Sequence, residues 1–454
     1  MRALALQLST TLSALVRRGA GSRMVSGFML VALITVGSKA VSFLKDAVVA
    51  RQFGTGDALD AFFLSFGFLT FAAALLGGGV PEAFLPLYAE ATHRRTRADA
   101  QRLAVQSCFV HLLSLLAVAA LVYFTAPFLV AWAAQGFAPA KQALAVDLLR
   151  RLLPFLICFG MSYQVATWLR ADKAFTAATG APILVPITIL AWLIFDGPDA
   201  NIDTLVNGTL IGALLHLLLL LVTALRGLVP DRGLFTAWEP GLRQVIRNTG
   251  PYLFAGGIFS STVVVDQTMA AWLEPGSVAV LGYTEKVCGI ILAVTALPAC
   301  DVLFPYFADK VARHDWAGVR HQLYTSAAAI LALALPATLL LCCLAPQVIS
   351  VLFERGSFTP QDTERVAAVL RFAALQIPFY IIATLASRVV VAMQATKFVV
   401  VLSAGGLMAN ALLNWLLMQS MGVAGIALST VFVQMISAAV ACLFVLRQIK
   451  HRLG

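Results

Sequence analysis

The segment LLSLLAVAALVYFTAPFLVAW at residues 112–132 runs for 21 positions without a charged side chain. About 20 apolar residues in a helix span the hydrocarbon core of a bilayer, so this stretch predicts a transmembrane helix. The rest of the chain has the same character, because 60% of its 454 residues are hydrophobic and 12% are charged. Soluble domains are about half apolar and about a quarter charged. The composition therefore excludes a soluble enzyme and predicts an all-α polytopic membrane protein.

Eleven further apolar segments resemble this one and account for most of the remaining chain. The predicted spans are 25–49, 58–80, 104–134, 148–169, 175–196, 204–225, 250–273, 278–304, 324–352, 366–387, 398–419 and 422–446. An even number of crossings places both termini on the same side of the membrane. We therefore predict about twelve transmembrane helices joined by short loops.

The net charge of +10 has a topological explanation. The two tails and the alternate loops on their side hold 22 of the 32 lysines and arginines. Cytoplasmic loops of membrane proteins carry such an excess of basic residues. We therefore predict that both termini are cytoplasmic, and we expect no nucleic-acid partner.

The chain also repeats internally. FLPLYAEA at 84–91 recurs as LFPYFADK at 303–310, and LPFLICF at 153–159 resembles IPFYIIA at 377–383. The offsets of 219 and 224 residues predict two six-helix bundles related by a pseudo-two-fold axis along the membrane normal, with the substrate site between them. The predicted divisions are a cytoplasmic tail 1–23, an N-terminal lobe 24–226, a cytoplasmic linker 227–248, a C-terminal lobe 249–448 and a cytoplasmic tail 449–454.

Ionisable residues within the predicted spans cluster on equivalent helices of the two halves. They are Lys39, Lys45 and Asp46 on the first helix, Asp60 on the second, and Glu285 and Lys286 on the eighth. A charge at membrane depth is costly and needs a partner, water or a function. We predict a hydrated cavity whose lysines bind an anion such as a diphosphate. The alternative is that the adjacent pairs snorkel or form packing contacts near helix ends.

A second polar group combines one carboxylate with neutral oxygens. Asn410 and Asn414 are one helical turn apart, Thr430 lies on the next helix and Asp266 on the seventh. This set matches a hard cation such as sodium. Interhelical hydrogen bonding is the alternative. No nucleotide-binding or metalloprotease motif occurs in the sequence, which disfavours an ATP-driven pump.

Several segments resemble the MurJ/MviN family of the multidrug/oligosaccharidyl-lipid/polysaccharide transporter superfamily. They are SKAVSFLKDAVVARQFGTGDALDAFFLSF at 38–66, EAFLPLYAE at 82–90, GSVAVLGYTEKV at 276–287, VLFERGSFTPQDTERVAAVLRFAAL at 351–375 and GVAGIALST at 422–430. The likeness covers nearly the whole chain after residue 24. The family usually has fourteen helices, whereas this sequence predicts twelve.

The resemblance implies a monomeric, non-enzymatic flippase of the bacterial cytoplasmic membrane. It would move lipid II or a related polyprenyl-diphosphate-linked saccharide from the inner to the outer leaflet by alternating access, with sodium or proton coupling and no tightly bound cofactor. By position, Lys39, Lys45 and Lys286 correspond to family arginines, Asp46 and Asp60 to family aspartates, and Asp266, Asn410, Asn414 and Thr430 to a family sodium site.

Three other functions stay open. An exopolysaccharide repeat unit is an alternative substrate for a flippase. A cation-coupled multidrug exporter of the same superfamily would need an acidic or aromatic cavity instead of lysines. A membrane-embedded glycosyltransferase or ligase for the same lipid would need a large outer loop with catalytic residues, and the predicted outer loops are short.

Overall fold

The structure, a computed structural model, describes residues 19–228 and 238–453. Within this part every regular element is helical and no β-strand occurs. The α-helices, numbered α1 to α17 in chain order, are Gly19–Phe53, Asp57–Gly77, Val80–Arg94, Arg97–Ala133, Pro139–Arg151, Leu153–Ala171, Phe175–Gly180, Leu184–Asp196, Ile202–Arg226, Pro240–Ala270, Ser277–Ala312, Trp316–Cys343, Ala345–Phe353, Pro360–Ala374, Gln376–Ala392, Thr396–Met421 and Val423–Leu453. Two 3-10 turns, Ala181–Ile183 and Gly197–Asp199, precede and follow α8.

Eight stretches of helix in the described residues are long and apolar enough to cross a membrane. The four other predicted spans lie in α1, α6, α10 and α11. Three of these helices carry the ionisable residues predicted from the sequence: α1 contains Asp46, α10 contains Asp266 and α11 contains Lys286. The prediction of an all-α polytopic membrane fold is confirmed.

Helix boundaries and turn residues repeat at a nearly constant spacing along the chain. Pro139 starts α5 and Pro360 starts α14, which are 221 positions apart. Backbone positions with positive φ recur at offsets of 221 to 225 in three pairs, namely Gly54 with Gly276, Lys173 with Gln394, and Gly197 with Gly422. Turns of the same kind at equivalent places agree with the repeat in the sequence. The division into lobes at 24–226 and 249–448 stays a prediction.

The ends of the predicted segments differ from the observed helices. Residues 1–18 and 229–237, parts of the predicted tail 1–23 and linker 227–248, lie outside the described residues. α10 begins at Pro240, inside the predicted linker, because its first turns are amphipathic: Leu242 and Val245 are buried while Arg243 and Arg247 are exposed. α17 continues to Leu453 through most of the predicted tail 449–454.

Two ends of the molecule are used below as landmarks. The near end holds the connection between the halves, where α9 ends and α10 begins. There Gln101 donates to the Gly227 carbonyl at 2.8 Å, the Glu239 amide donates to Gln106 at 2.9 Å, and Arg95 forms an ion pair with Glu239. The far end holds the starts of α2 and α11, and α5 and α14 lie there. Gly227 and Glu239, the described residues on either side of the gap at the near end, are therefore both held by α4 or by the turn before it.

Candidate functional site

A central cavity of about 330 Å³ lies between the two halves. α1, α2, α8 and α9 contribute lining residues from the first half, and α10 and α11 contribute them from the second. Its polar lining includes Lys45, Asp46, Thr70, Glu285 and Lys286. The four helices α1, α2, α10 and α11, which carry the residues predicted to bind the substrate and Asp266, therefore all face this cavity.

Asp46 is the centre of the charged group in the cavity. Its Oδ1 lies 2.6 Å from Lys45 Nζ and 2.7 Å from Lys286 Nζ. The side chains of Lys45 and Lys286 are 20% and 26% exposed, and that of Asp46 is 10% exposed. One carboxylate oxygen thus holds two ammonium groups from opposite halves, and each ammonium has further donors.

Aromatic rings fix the position of Lys286. Its Nζ lies 4.4 Å from the ring centroid of Phe63 and 5.4 Å from that of Tyr283, within the range of cation–π attraction. Lys39 lines a smaller cavity of about 190 Å³ that also contacts Asp46 and Lys286. The structure thus brings together five of the six residues predicted to contact the substrate, and their formal charges sum to +1.

Asp60, the sixth, lies at the far end and is not among the residues that line either cavity. It accepts hydrogen bonds from the backbone amides of Gly276 at 2.6 Å and Ala279 at 2.7 Å, which begin α11. Lys141 of α5 lies 2.7 Å from Asp60 and from Asp57. An aspartate is stable at a helix N-terminus because it satisfies free amides and complements the helix dipole. Its observed role is to cap α11 across the interface.

Further contacts join the two halves at the far end. Thr55 donates to Asp362 at 2.5 Å, Tyr283 donates to the Gly54 carbonyl at 3.1 Å, and the Ser357 amide donates to the Arg51 carbonyl at 2.7 Å. These contacts, together with those of Asp57, Asp60 and Lys141, are called the far-end seal below. The seal closes the interface on that side of the central cavity.

The predicted cation residues also meet. Asn414 Nδ2 donates to Asp266 Oδ1 at 2.6 Å and lies 3.4 Å from Asn410 Oδ1. All three side chains are buried, and Asn414 Oδ1 has no hydrogen-bond partner among the described residues. The oxygen and nitrogen of an asparagine amide are assigned from their contacts. Turning the Asn414 amide over would point a third oxygen at the place where Asp266 and Asn410 converge, so the residues fit a hard monovalent cation.

Thr430 is placed at the edge of this group. Its hydroxyl donates to the Ile426 carbonyl at 3.3 Å, and it lines a polar cavity together with Asn410. No group of three or more His, Cys, Asp and Glu side chains in the described residues is arranged to hold a metal ion. The cluster of Asp266, Asn410, Asn414 and Thr430 is called the cation cluster below.

Sequence reasoning missed two basic residues. The predicted spans leave Lys141 in an outer loop between 104–134 and 148–169, whereas it is buried in α5 and holds two aspartates. They leave Arg388 in a loop on the side of the termini, between 366–387 and 398–419, whereas it lies within α15 and lines the same cavity as Thr430. The buried Leu148 and Leu149 that follow Lys141 at helical spacing were a signal for the additional helix.

Sequence comparisons identify relatives along almost the whole chain. The model of the family described as lipid II flippase MurJ matches residues 49–453. A probable lipid II flippase MurJ from Rhizobium tropici is 26% identical over 415 residues, which cover 89% of this chain and 78% of that protein. A lipid II flippase MurJ from Burkholderia cenocepacia is 25% identical, with 89% and 79% of the two chains covered.

Solved structures share the fold. A lipid II flippase MurJ in an inward closed conformation matches with a TM-score of 0.81 at 21% identity, covering 93% of this chain and 87% of that one. An inward-facing multidrug resistance MATE transporter matches with a TM-score of 0.78 at 15% identity, covering 93% and 98%. The family match spans most of the sequence, and the helical apolar fold agrees with it. This multi-pass membrane protein belongs to the lipid II flippase MurJ family.

Proposed function

We propose that this protein is a flippase that moves lipid II, a polyprenyl-diphosphate-linked saccharide, across the bacterial cytoplasmic membrane by alternating access. Family membership supports a transporter rather than an enzyme. The observation that carries the role of the cavity is the pair of ammonium groups, from opposite halves, on the single carboxylate oxygen of Asp46.

The charged group is suited to bind and release a diphosphate. Before binding, Asp46 holds Lys45 and Lys286 in place and offsets part of their charge. A diphosphate carries more negative charge than one carboxylate, so it competes with Asp46 for both ammonium groups. Lysine binds phosphate as a point charge with rotatable donors, which allows the contacts to change as the two halves move.

The far-end seal supports the proposed direction. In this conformation Asp60 and its partners hold the far ends of α2 and α11 together. We place the near end, where α1 begins and α17 ends, in the cytoplasm, so the cavity would receive its substrate from the inner leaflet. Opening the far-end seal would then expose the cavity to the outer leaflet.

The cation cluster supports ion coupling. Asp266, Asn410 and Asn414 would hold a sodium ion, with Thr430 at the edge, and the bound ion would supply the driving force for reorientation. Asp266 lies on α10, which connects directly to the segment between the halves. This position allows occupancy of the cluster to influence how the halves move.

The proposal is tested by complementation of a strain depleted of its own lipid II flippase. Growth and lipid II flipping restored by this chain support the proposal. Failure with normal membrane levels overturns lipid II as the substrate and favours an exopolysaccharide lipid. The multidrug alternative predicts export of cationic compounds, which the lysines of the cavity disfavour.

A further inference from the structure

A second polar cavity of about 430 Å³ lies within the C-terminal half, among α10, α15, α16 and α17. Its lining includes the polar side chains of Tyr380, Thr384, Ser387, Arg388, Ser403 and Ser437. Polar groups at membrane depth are costly unless they are hydrogen-bonded or hydrated. A cavity of this volume holds several water molecules, and its lining supplies the partners that such water needs.

The polar cavity reaches the cation cluster. Asn410 and Thr430 line it, and Asn410 Nδ2 has no hydrogen-bond partner among the described residues. Asn410 in turn lies beside Asn414, which contacts Asp266. A hydrated space therefore ends at residues that fit a cation.

The other end of the cavity points toward the near end. Along α16, which starts at Thr396, Ser403 is about 10 Å and Asn410 about 21 Å from the helix start, at 1.5 Å per residue. Arg388 and Val391 lie in the last turns of α15, which end beside the start of α16. The lining of the cavity thus extends from Asn410 back to Val399, about 16 Å along α16, which is roughly half the thickness of the hydrocarbon core of a bilayer.

We infer that this polar cavity is the path by which the coupling cation passes between the cation cluster and the solution at the near end. This inference rests on the proposed function. Among the described residues, the polar cavity and the central cavity share no lining residue. The ion and the lipid substrate therefore use separate routes within one protein.

Arg388 contributes a guanidinium group to the wall of the path. This group lies 6.0 Å from the ring centroid of Phe304. The path is therefore lined by a basic side chain as well as by hydroxyl groups.

Cysteine labelling tests the path directly. Ser403→Cys and Ser437→Cys are placed singly in the full chain after its seven native cysteines are replaced. A positively charged, membrane-impermeant thiol reagent is added to inside-out and right-side-out vesicles. We expect labelling in inside-out vesicles. Sodium should slow it about threefold to tenfold compared with choline, because a cation bound about 10 Å deeper along α16 repels the positively charged reagent.

Two controls make the result specific. Met408→Cys lies on the same helix, between Ser403 and Asn410 in depth, but it is exposed on the outer face of the bundle and does not line the polar cavity, so it should resist the aqueous reagent. Asp266→Asn should keep the labelling of Ser403→Cys and remove its protection by sodium. Absence of labelling from inside-out vesicles, or labelling that ignores sodium, overturns the path. Lipid II flipping by the same cysteine variants is measured in parallel, so a failed path is distinguished from a failed flippase.

Discussion

Lysine–aspartate ion pairs occur both in the far-end seal and in the central cavity. The seal has one lysine for two aspartates, whereas the cavity has two lysines for one aspartate. In the seal, Lys141 lies between Asp57 and Asp60, and Asp60 also accepts two backbone amides; the side chains of Lys141 and Asp60 are 5% and 1% exposed. In the cavity, Asp46 lies between two partly exposed lysines. In the seal both carboxylate oxygens of Asp60 are therefore engaged, whereas the lysines of the cavity keep donors for an anion.

The largest effect on transport is expected from removing the lysine donors of the cavity. Lys286→Ala and Lys45→Ala should each lower flipping by about tenfold to a hundredfold, because a hydrogen bond to a charged group contributes about 1.5–3 kcal/mol. Rescue of the depleted strain and a lipid II flipping assay measure the loss. Lys310→Ala, on a half-exposed lysine near the end of α11, is the matched control and should flip normally. Wild-type flipping by both cavity variants contradicts the assigned role.

Substitutions in the far-end seal should lower the stability of the protein rather than its affinity for the substrate. Asp60→Asn keeps the volume but removes the charge that Lys141 and the start of α11 use, at a cost of about 3–5 kcal/mol. The midpoint of thermal unfolding in detergent should fall by several degrees. Asp60→Asn combined with Lys141→Met should regain part of the loss, because the uncompensated ammonium is gone. If the decreases in thermal midpoint caused by Asp60→Asn and Lys141→Met simply add in the double variant, the Lys141–Asp60 ion pair is not the cause of the lost stability.

The same comparison explains what the sequence could predict. Charges inside apolar spans are conspicuous, so the positions of Lys45, Asp46 and Lys286 in the sequence were enough to identify them, and the internal repeat placed them on equivalent helices of the two halves. Asp60 was found by the same rule but assigned to the cavity, because its partners are the backbone amides of Gly276 and Ala279, which leave no mark in the sequence. The contact between α2 and α11 joins residues 216 positions apart, so it depends on the tertiary fold and not on any local sequence pattern.

The cation cluster shows a similar limit. The spacing of Asn410 and Asn414 predicted a shared helix face, and the structure places both beside Asp266. The polar cavity beyond them was not predicted, because its hydroxyl groups are scattered over four helices and each is ordinary in a membrane helix. Arg388 was read as a loop residue because a basic residue near a span end usually marks a boundary.

Backbone contact in the seal gives a smaller effect. Gly54 has φ of +55°, and a Cβ there would lie 2.4 Å from the Ser357 carbonyl oxygen. Gly54→Ala should therefore strain the turn and push the two halves apart, weakening the closed far end by about 1–3 kcal/mol. Gly197→Ala is the matched control, since its φ is +56° but nothing lies near its Cβ. A cysteine introduced into the lining of the central cavity should react faster with an impermeant thiol reagent added on the far side in Gly54→Ala, and at an unchanged rate in Gly197→Ala.

The smallest effect on stability is expected from an ion pair that is exposed to solvent. Arg151 at the end of α5 forms an ion pair with Asp203 at 2.7 Å, and both side chains are substantially open to solvent. Exposed pairs contribute about 0–1 kcal/mol because water screens them and both side chains lose freedom. Asp203→Asn should thus leave the thermal midpoint and flipping nearly unchanged, and any small shift should vanish at high salt. If Asp203→Asn lowered the thermal midpoint as much as Asp60→Asn does, burial would not be the reason why the Lys141–Asp60 pair contributes more to stability than the exposed Arg151–Asp203 pair.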